Sequence, residues 1–144
     1  MFPYTADRVR ENTAESVNEQ IERETEQRVA RLARARQYEI DQRLAELDAE
    51  WDIERYLETM APTFTLLGTF LGLTKSRKFF AIPIVVQAFF LQHALQGWCP
   101  PLIPLRRLGV RTADEINKER YALKALRGDF EEVNANNAMT AVEA

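Results

Sequence analysis

Over residues 79–105 the chain runs 27 positions without a single Asp, Glu, Lys or Arg. A helix through that run is long enough to cross a hydrocarbon core of about 30 Å. Between positions 79 and 91 only Gln87 is polar, and a helix apolar all round needs lipid or a large protein around it. A second uncharged run, residues 59–74, has sixteen positions and would extend about 24 Å as a helix, which is short for a span. Four polar residues, Lys75-Ser76-Arg77-Lys78, separate the two runs. So brief a connection forces neighbouring helices to lie antiparallel. The expected fold is therefore all-α: an integral membrane helical hairpin of two antiparallel spans, carrying a long N-terminal amphipathic helix and a short C-terminal one. The competing soluble reading buries both apolar segments in a helical bundle, which would require polar outer faces.

Charge is segregated around this hairpin. Residues 1–57 hold 9 Arg and 14 Asp/Glu, residues 58–105 hold one Glu and three basic residues, and residues 106–144 hold seven of each sign. The chain divides accordingly into a charged N-terminal helical arm (1–57), a two-span hairpin (58–105), a C-terminal polar segment with one helix (106–130) and a flexible tail (131–144). A net charge of −3 gives no field for nucleic acid. Six basic residues flank the hairpin on the side of the termini (Arg43, Arg55, Arg106, Arg107, Arg111 and Lys118), against three in the loop. By the positive-inside rule both termini are expected in the cytoplasm.

Several residues of the hairpin carry specific expectations. Gly68 and Gly72, with Thr65 and Thr69 beside them, make a small-residue face on which the second helix or another copy can approach closely. Trp51, Tyr56, Phe79, Phe80 and Trp98 fall where aromatic rings favour the membrane–water interfaces. Gln92, His93 and Gln96 form a polar cluster near the end of the second helix, expected to hydrogen-bond across to Thr59 and Thr63. Cys99, between Trp98 and Pro100, is a possible reactive thiol at the mouth of the second span; the bland alternative is a small buried hydrophobe. In a continuous helix His93 would lie 1.7 turns from Cys99 on the opposite side, so the two are not expected to meet. A lone Cys and a lone His offer no metal set, and no Walker loop, dinucleotide fingerprint, HExxH or GxSxG occurs. No catalytic residue, cofactor, metal or small-molecule substrate is expected.

Residues 6–57 contain neither Gly nor Pro and read as one long helix. Its thin apolar stripe (Ile21, Val29, Leu32, Ile40, Leu44, Trp51) repeats with elevenfold spacings, open to a second copy, to the chain itself or to the bilayer surface. The excess of Glu disfavours an anionic membrane surface. Downstream, Thr112-Ala113-Asp114-Glu115 has capping-box order and predicts a helix ending near Leu126, with Gly128 as its stop. That glycine also lies in Arg127-Gly128-Asp129, a cell-adhesion spelling with a sufficient structural explanation.

Ile53-Glu54-Arg55, the two apolar segments, Gly97-Trp98-Cys99-Pro100 and Leu108-Gly109-Val110-Arg111-Thr112 together resemble a small bacterial two-span inner-membrane domain family of unknown function, the kind that anchors the YgaP-type inner-membrane rhodanese. The likeness spans about residues 51–113, and residues 113–130 look like a subgroup's extension. It implies a hairpin in the bacterial inner membrane, both termini cytoplasmic, dimeric through its spans. It implies no catalysis, because the rhodanese module with its cysteine loop has no counterpart in this chain. The expected role is a membrane-anchored, non-enzymatic scaffold or accessory subunit of a membrane complex, self-associating, with the lipid bilayer and protein as partners. The alternative is a thiol or persulfide carrier that uses Cys99 with a partner sulfurtransferase or redox enzyme.

Overall fold

A computed structural model of the chain describes residues 4–134 and 137–143. Among them every regular element is helical: α1 (Arg8–Glu11), α2 (Glu15–Leu32), α3 (Gln37–Ala49), α4 (Ile53–Thr74), a 3₁₀ turn (Arg77–Phe80), α5 (Ala81–Gln96), α6 (Leu102–Arg107), α7 (Ala113–Arg127) and α8 (Ala138–Glu143). The chain forms two compact units, one from residues 1–21 and 51–113, the other from 22–50 and 114–144.

The N-terminal arm is three helices rather than one. After α1, the Asn12 amide donates to the Arg8 carbonyl (2.8 Å) and the Thr13 hydroxyl to that of Val9 (2.7 Å). These local side-chain bonds satisfy carbonyls that would otherwise continue the ladder, which ends the helix without Gly or Pro. A second interruption follows Leu32, where short bonds such as Ala35 N–H to Leu32 O (3.0 Å) tighten the last turn and Arg36 turns extended.

In the first unit, Asp52 caps α4 by accepting from the Arg55 N–H at 2.8 Å. The helix thus begins six residues before the uncharged run and reaches 22 residues, about 33 Å. Pro62 lies inside it, and the neighbouring hydroxyls of Thr59 and Thr63 donate to carbonyls one turn back. The turn at residues 75–80 reverses the chain, and α5 packs on α4. Their close approach depends on two glycines: a Cβ on Gly68 would sit 2.7 Å from Pro83 Cδ and one on Gly72 would sit 2.9 Å from the Phe80 ring. A cross-helix bond from Gln87 Nε2 to Thr65 Oγ1 (2.8 Å) adds to this seam.

α5 ends at Gln96, earlier than the prolines, because Gly97 adopts φ 79° and returns its N–H to the His93 carbonyl at 2.7 Å. The chain then folds back, and Cys99 joins Val9, Ile53, Leu57 and Leu102 in a small buried core. A Cβ on Gly97 would lie 2.3 Å from the Arg8 carbonyl oxygen. Left-handed strain and a backbone clash therefore act together, and Gly97→Ala is expected to cost about 3 kcal/mol, read as a lowered Tm; an unchanged Tm would contradict this packing. Arg106, 1% exposed, donates to Val110 O (3.0 Å), Asn18 Oδ1 (2.8 Å) and Thr13 Oγ1 (3.2 Å), so a residue that reads as a surface charge instead ties α6 to the start of the chain.

In the second unit the arm's apolar stripe finds its partner within the chain: Leu32, Ile40, Leu44 and Leu47 pack with Ile116 and Leu123 of α7. α7 begins at Ala113 and stops at Arg127, with Gly128 at φ 92° and Asp129 N–H bonded to Lys124 O (3.1 Å), as the capping signals predict. Arg127 clamps Asp129 and Asp41. Its hydrogen bonds hold the Asp129 carboxyl below the usual carboxylate range, slight burial opposing. The Arg-Gly-Asp sequence is thus a helix stop with its own ion pair. Also on α7, Glu119 is 0% exposed and accepts from Arg43 Nε (2.9 Å) and Arg28 Nε (3.3 Å). Burial opposes the charge on Arg43, but bonds to Glu119 and Glu46 outweigh it and raise its pKa further. Of the tail expected to be flexible, residues 138–143 are helical, while 135, 136 and 144 lie outside the described residues.

Candidate functional site: a Cys-His-Glu line beside an apolar cavity

His93 is 1% exposed and the side chains around it form a line. Its Nδ1 lies 3.6 Å from Cys99 Sγ, and its Nε2 lies 3.1 Å from Glu54 Oε2. Arg8 closes the line, donating from Nη2 to Glu54 Oε1 at 2.7 Å. The expectation that His93 and Cys99 lie on opposite sides of one helix is corrected here. It assumed one continuous helix through His93 and Cys99, whereas Gly97 reverses the chain and carries Cys99 back over the last turn.

The geometry fixes proton roles. An ionised carboxylate has no proton to donate, so Nε2–H must donate to Glu54, which leaves Nδ1 facing the thiol. Nδ1 either accepts the S–H or, after proton transfer, holds the proton opposite a thiolate. A nucleophile, a base within reach and an orienting carboxylate are the parts of an activated thiol. Cys99 itself is 3% exposed, so water-borne reagents meet it only through the protein.

What Cys99 does face is a cavity of about 390 Å³, open on its outer side, between α4, α5 and the Pro100-Pro101 corner, a ligand-pocket size. Leu57, Met60, Phe64, Val86 and Phe90 line it, and no lining residue is charged.

The other residues singled out from the sequence are distributed as follows. Gly68 faces the second helix of its own chain and Gly72 the Phe80 ring in the turn before it; Thr65 receives the cross-helix bond, and the Thr69 hydroxyl donates to Thr65 O. Of the expected polar cluster, His93 turns to Glu54 and Cys99, the Gln96 backbone carbonyl accepts from Asn12 (2.7 Å), and Gln92 is partly buried. The bonds across the two helices run from His93 to Glu54, about one turn before Thr59, and from Gln87 to Thr65, about one to two turns deeper in the hairpin than expected. Trp51 meets Tyr56 edge-on at 5.3 Å and carries the Arg55 guanidinium 4.4 Å above its ring. Phe79 is exposed, Phe80 covers Gly72, and Trp98 meets Phe89 edge-on at 6.2 Å.

Sequence reasoning gave no role to Glu54 and none to Arg8. A warning was present in Gly97, a helix-stopping residue type two positions before the cysteine. Among the described residues no group of three His, Cys, Asp or Glu side chains is arranged to hold a metal ion.

Residues 77–96 form one helical stretch long and apolar enough to cross a membrane by length and composition, with mean hydropathy 1.5 and 6% of it buried within the fold. No protein-family model matches the chain, and no curated protein or solved structure does.

Proposed function

We propose that the chain is a membrane-anchored interaction protein, an accessory subunit or scaffold whose α4–α5 hairpin sits in the bacterial inner membrane with both termini in the cytoplasm. One observation carries this reading: the hairpin turns large apolar side chains outward. Leu66 is 71% exposed, Leu73 75%, Ile84 69% and Leu91 61%, and water is a poor medium for so continuous an apolar surface. Lipid accounts for both helices at once. α4 is the less apolar of the two, and among the described residues only 77–96 are long and apolar enough on their own to cross a membrane. Membership of the two-span anchor family that residues 51–113 resemble is part of the same proposal. Arg106 and Arg111 are buried in the fold, but the positive-inside rule acts while the chain inserts, before folding closes, so they still count toward cytoplasmic termini.

Self-association belongs to the same proposal, with one change of surface. The Gly68–Gly72 face is occupied within the chain, so a second copy or a larger complex would meet the outward row of Leu66, Phe70 and Leu73. Alkaline carbonate treatment of membranes holding the full chain tests the anchor. Retention in the pellet and release only by detergent are expected; release by carbonate alone would overturn it.

A second reading, thiol chemistry at the membrane surface, is favoured by the Cys99–His93–Glu54 line. A structural cysteine needs neither a base at its sulfur nor a carboxylate behind that base.

A further inference from the structure

The cavity beside Cys99 narrows the partner of this thiol. Its wall is apolar, so what it can hold is the apolar part of a reactant: Leu57, Met60, Phe64, Val86 and Phe90 present only carbon and a thioether. What fits such a wall is a hydrocarbon chain. We propose that Cys99 is a site of thioester-linked fatty acylation, with His93 as the base for its thiol and the acyl chain lying in the cavity between α4 and α5.

The donor is a long-chain acyl thioester such as an acyl-coenzyme A. Cys99 Sγ–H gives its proton to His93 Nδ1, while Glu54 holds the Nε2–H and steadies the imidazolium. The sulfur attacks the acyl carbonyl carbon, a new C–S bond forms, and the bond from that carbon to the carrier sulfur breaks. The carrier leaves as a thiolate and takes the proton from His93. One thioester is exchanged for another, so no oxidant, reductant or nucleotide is required. Membrane lipids are oxygen esters, weaker acyl donors than thioesters, and are not the source.

Three features of the site combine here. The sulfur is withdrawn from water, which protects a thioester from hydrolysis. The base is within reach of it. The cavity begins at the sulfur and runs along the apolar helices, where an attached chain would lie parallel to the lipid. The proposal deepens the thiol reading of this site and rests on it; the membrane anchor stands or falls separately, by carbonate extraction.

The test uses the full chain in phosphatidylethanolamine–phosphatidylglycerol nanodiscs, incubated with palmitoyl-coenzyme A or with acetyl-coenzyme A and followed by intact mass. Cys99 is the only cysteine, so a mass gain of one palmitoyl group that neutral hydroxylamine removes reports on it directly. The expected result is palmitoylation of the unaltered protein, faster than acetylation by about tenfold or more as cavity binding adds to the reaction. Cys99→Ser is expected to form no hydroxylamine-sensitive adduct, and His93→Gln to slow the reaction by about a hundredfold, the scale of general-base assistance. Equal rates for the two acyl lengths would overturn the role of the cavity, and this comparison needs no variant. A His93→Gln protein with an unchanged Tm and an unchanged rate would overturn the role of the base. If N-ethylmaleimide alkylates Cys99 in the same discs while no palmitoyl adduct forms, acylation is excluded and thiol chemistry survives; if neither reagent reaches Cys99, both are overturned.

Discussion

Glu119→Gln is expected to destabilise the second unit by about 3–5 kcal/mol, a large part of the stability of any small domain. The carboxylate is 0% exposed and accepts hydrogen bonds from Arg43 Nε and Nη2 (2.9 and 3.3 Å) and from Arg28 Nε and Nη2 (3.3 and 3.4 Å). Gln has nearly the same shape, so packing is preserved. What changes is charge: two guanidinium groups, 27% and 19% exposed, are left facing each other over a neutral amide that accepts at only one atom. The apolar core beside them, Leu32, Ile40, Leu44, Leu47, Ile116 and Leu123, is too small to absorb the loss. Urea unfolding followed by the helical signal checks this. By contrast, Lys118→Ala removes a bridge to Glu22 whose partners are 60% and 38% exposed, and should change stability by less than about 1 kcal/mol. If both substitutions had equal, small effects, the buried carboxylate would not be holding α7 against α2 and α3.

Gly68→Ile is the second substitution with a large expected effect, and it acts on the hairpin. Even a single Cβ at this position would lie 2.7 Å from Pro83 Cδ and 2.8 Å from Ile82 Cβ. Neither atom is the free end of a flexible side chain: one belongs to a closed ring, the other is fixed to the backbone. The two helices must therefore separate, at a cost of about 3 kcal/mol. The bond from Gln87 to Thr65, about one turn away along the seam, would be lost with them. Double electron–electron resonance between labels at Leu66 and Ile84, in a Cys99→Ser background, should report a longer and broader distance distribution in the Ile variant. A Leu66→Ile change on the outward face should leave it unaltered. An unchanged distribution in Gly68→Ile would mean that the glycine face does not pair the helices.

These two sites also mark what could be read from the sequence and what could not. The hairpin, the closeness of Gly68 and Gly72 to something, and the start and stop of α7 follow from local rules: uncharged length, small-residue spacing, Thr112 and Gly128. Such signals act within a few residues and survive in any tertiary setting. Glu119 and Arg106 look like ordinary surface charges, because their partners are far along the chain: Arg28 is 91 residues from Glu119, and Asn18 is 88 residues from Arg106. Burial of such a group is decided by the closed fold, and no window of sequence contains it. The breaks in the N-terminal arm were hidden for a different reason. Asn12 and Thr13 end α1 by bonding backward to carbonyls, an option that helix propensity alone does not reveal. The line at His93 combines both kinds of concealment. Gly97 provides the local reversal, and Glu54, 39 residues away, provides the distant partner. Continuing α5 through Gly97 as an unbroken helix separates His93 from Cys99 on paper, and with that single assumption the site disappears.

The most direct measurement of the medium around the hairpin is spin-label accessibility at Leu66, Ile84 and Leu91, each changed singly to a labelled cysteine in a Cys99→Ser protein in lipid vesicles. All three side chains point away from the fold. With α4 and α5 both in lipid, oxygen should broaden every label strongly and a water-soluble nickel chelate should broaden none, with the deepest values near the middle of each helix. Strong nickel broadening at Leu66 on α4, with or without the same at Ile84 and Leu91, would contradict a two-helix membrane hairpin.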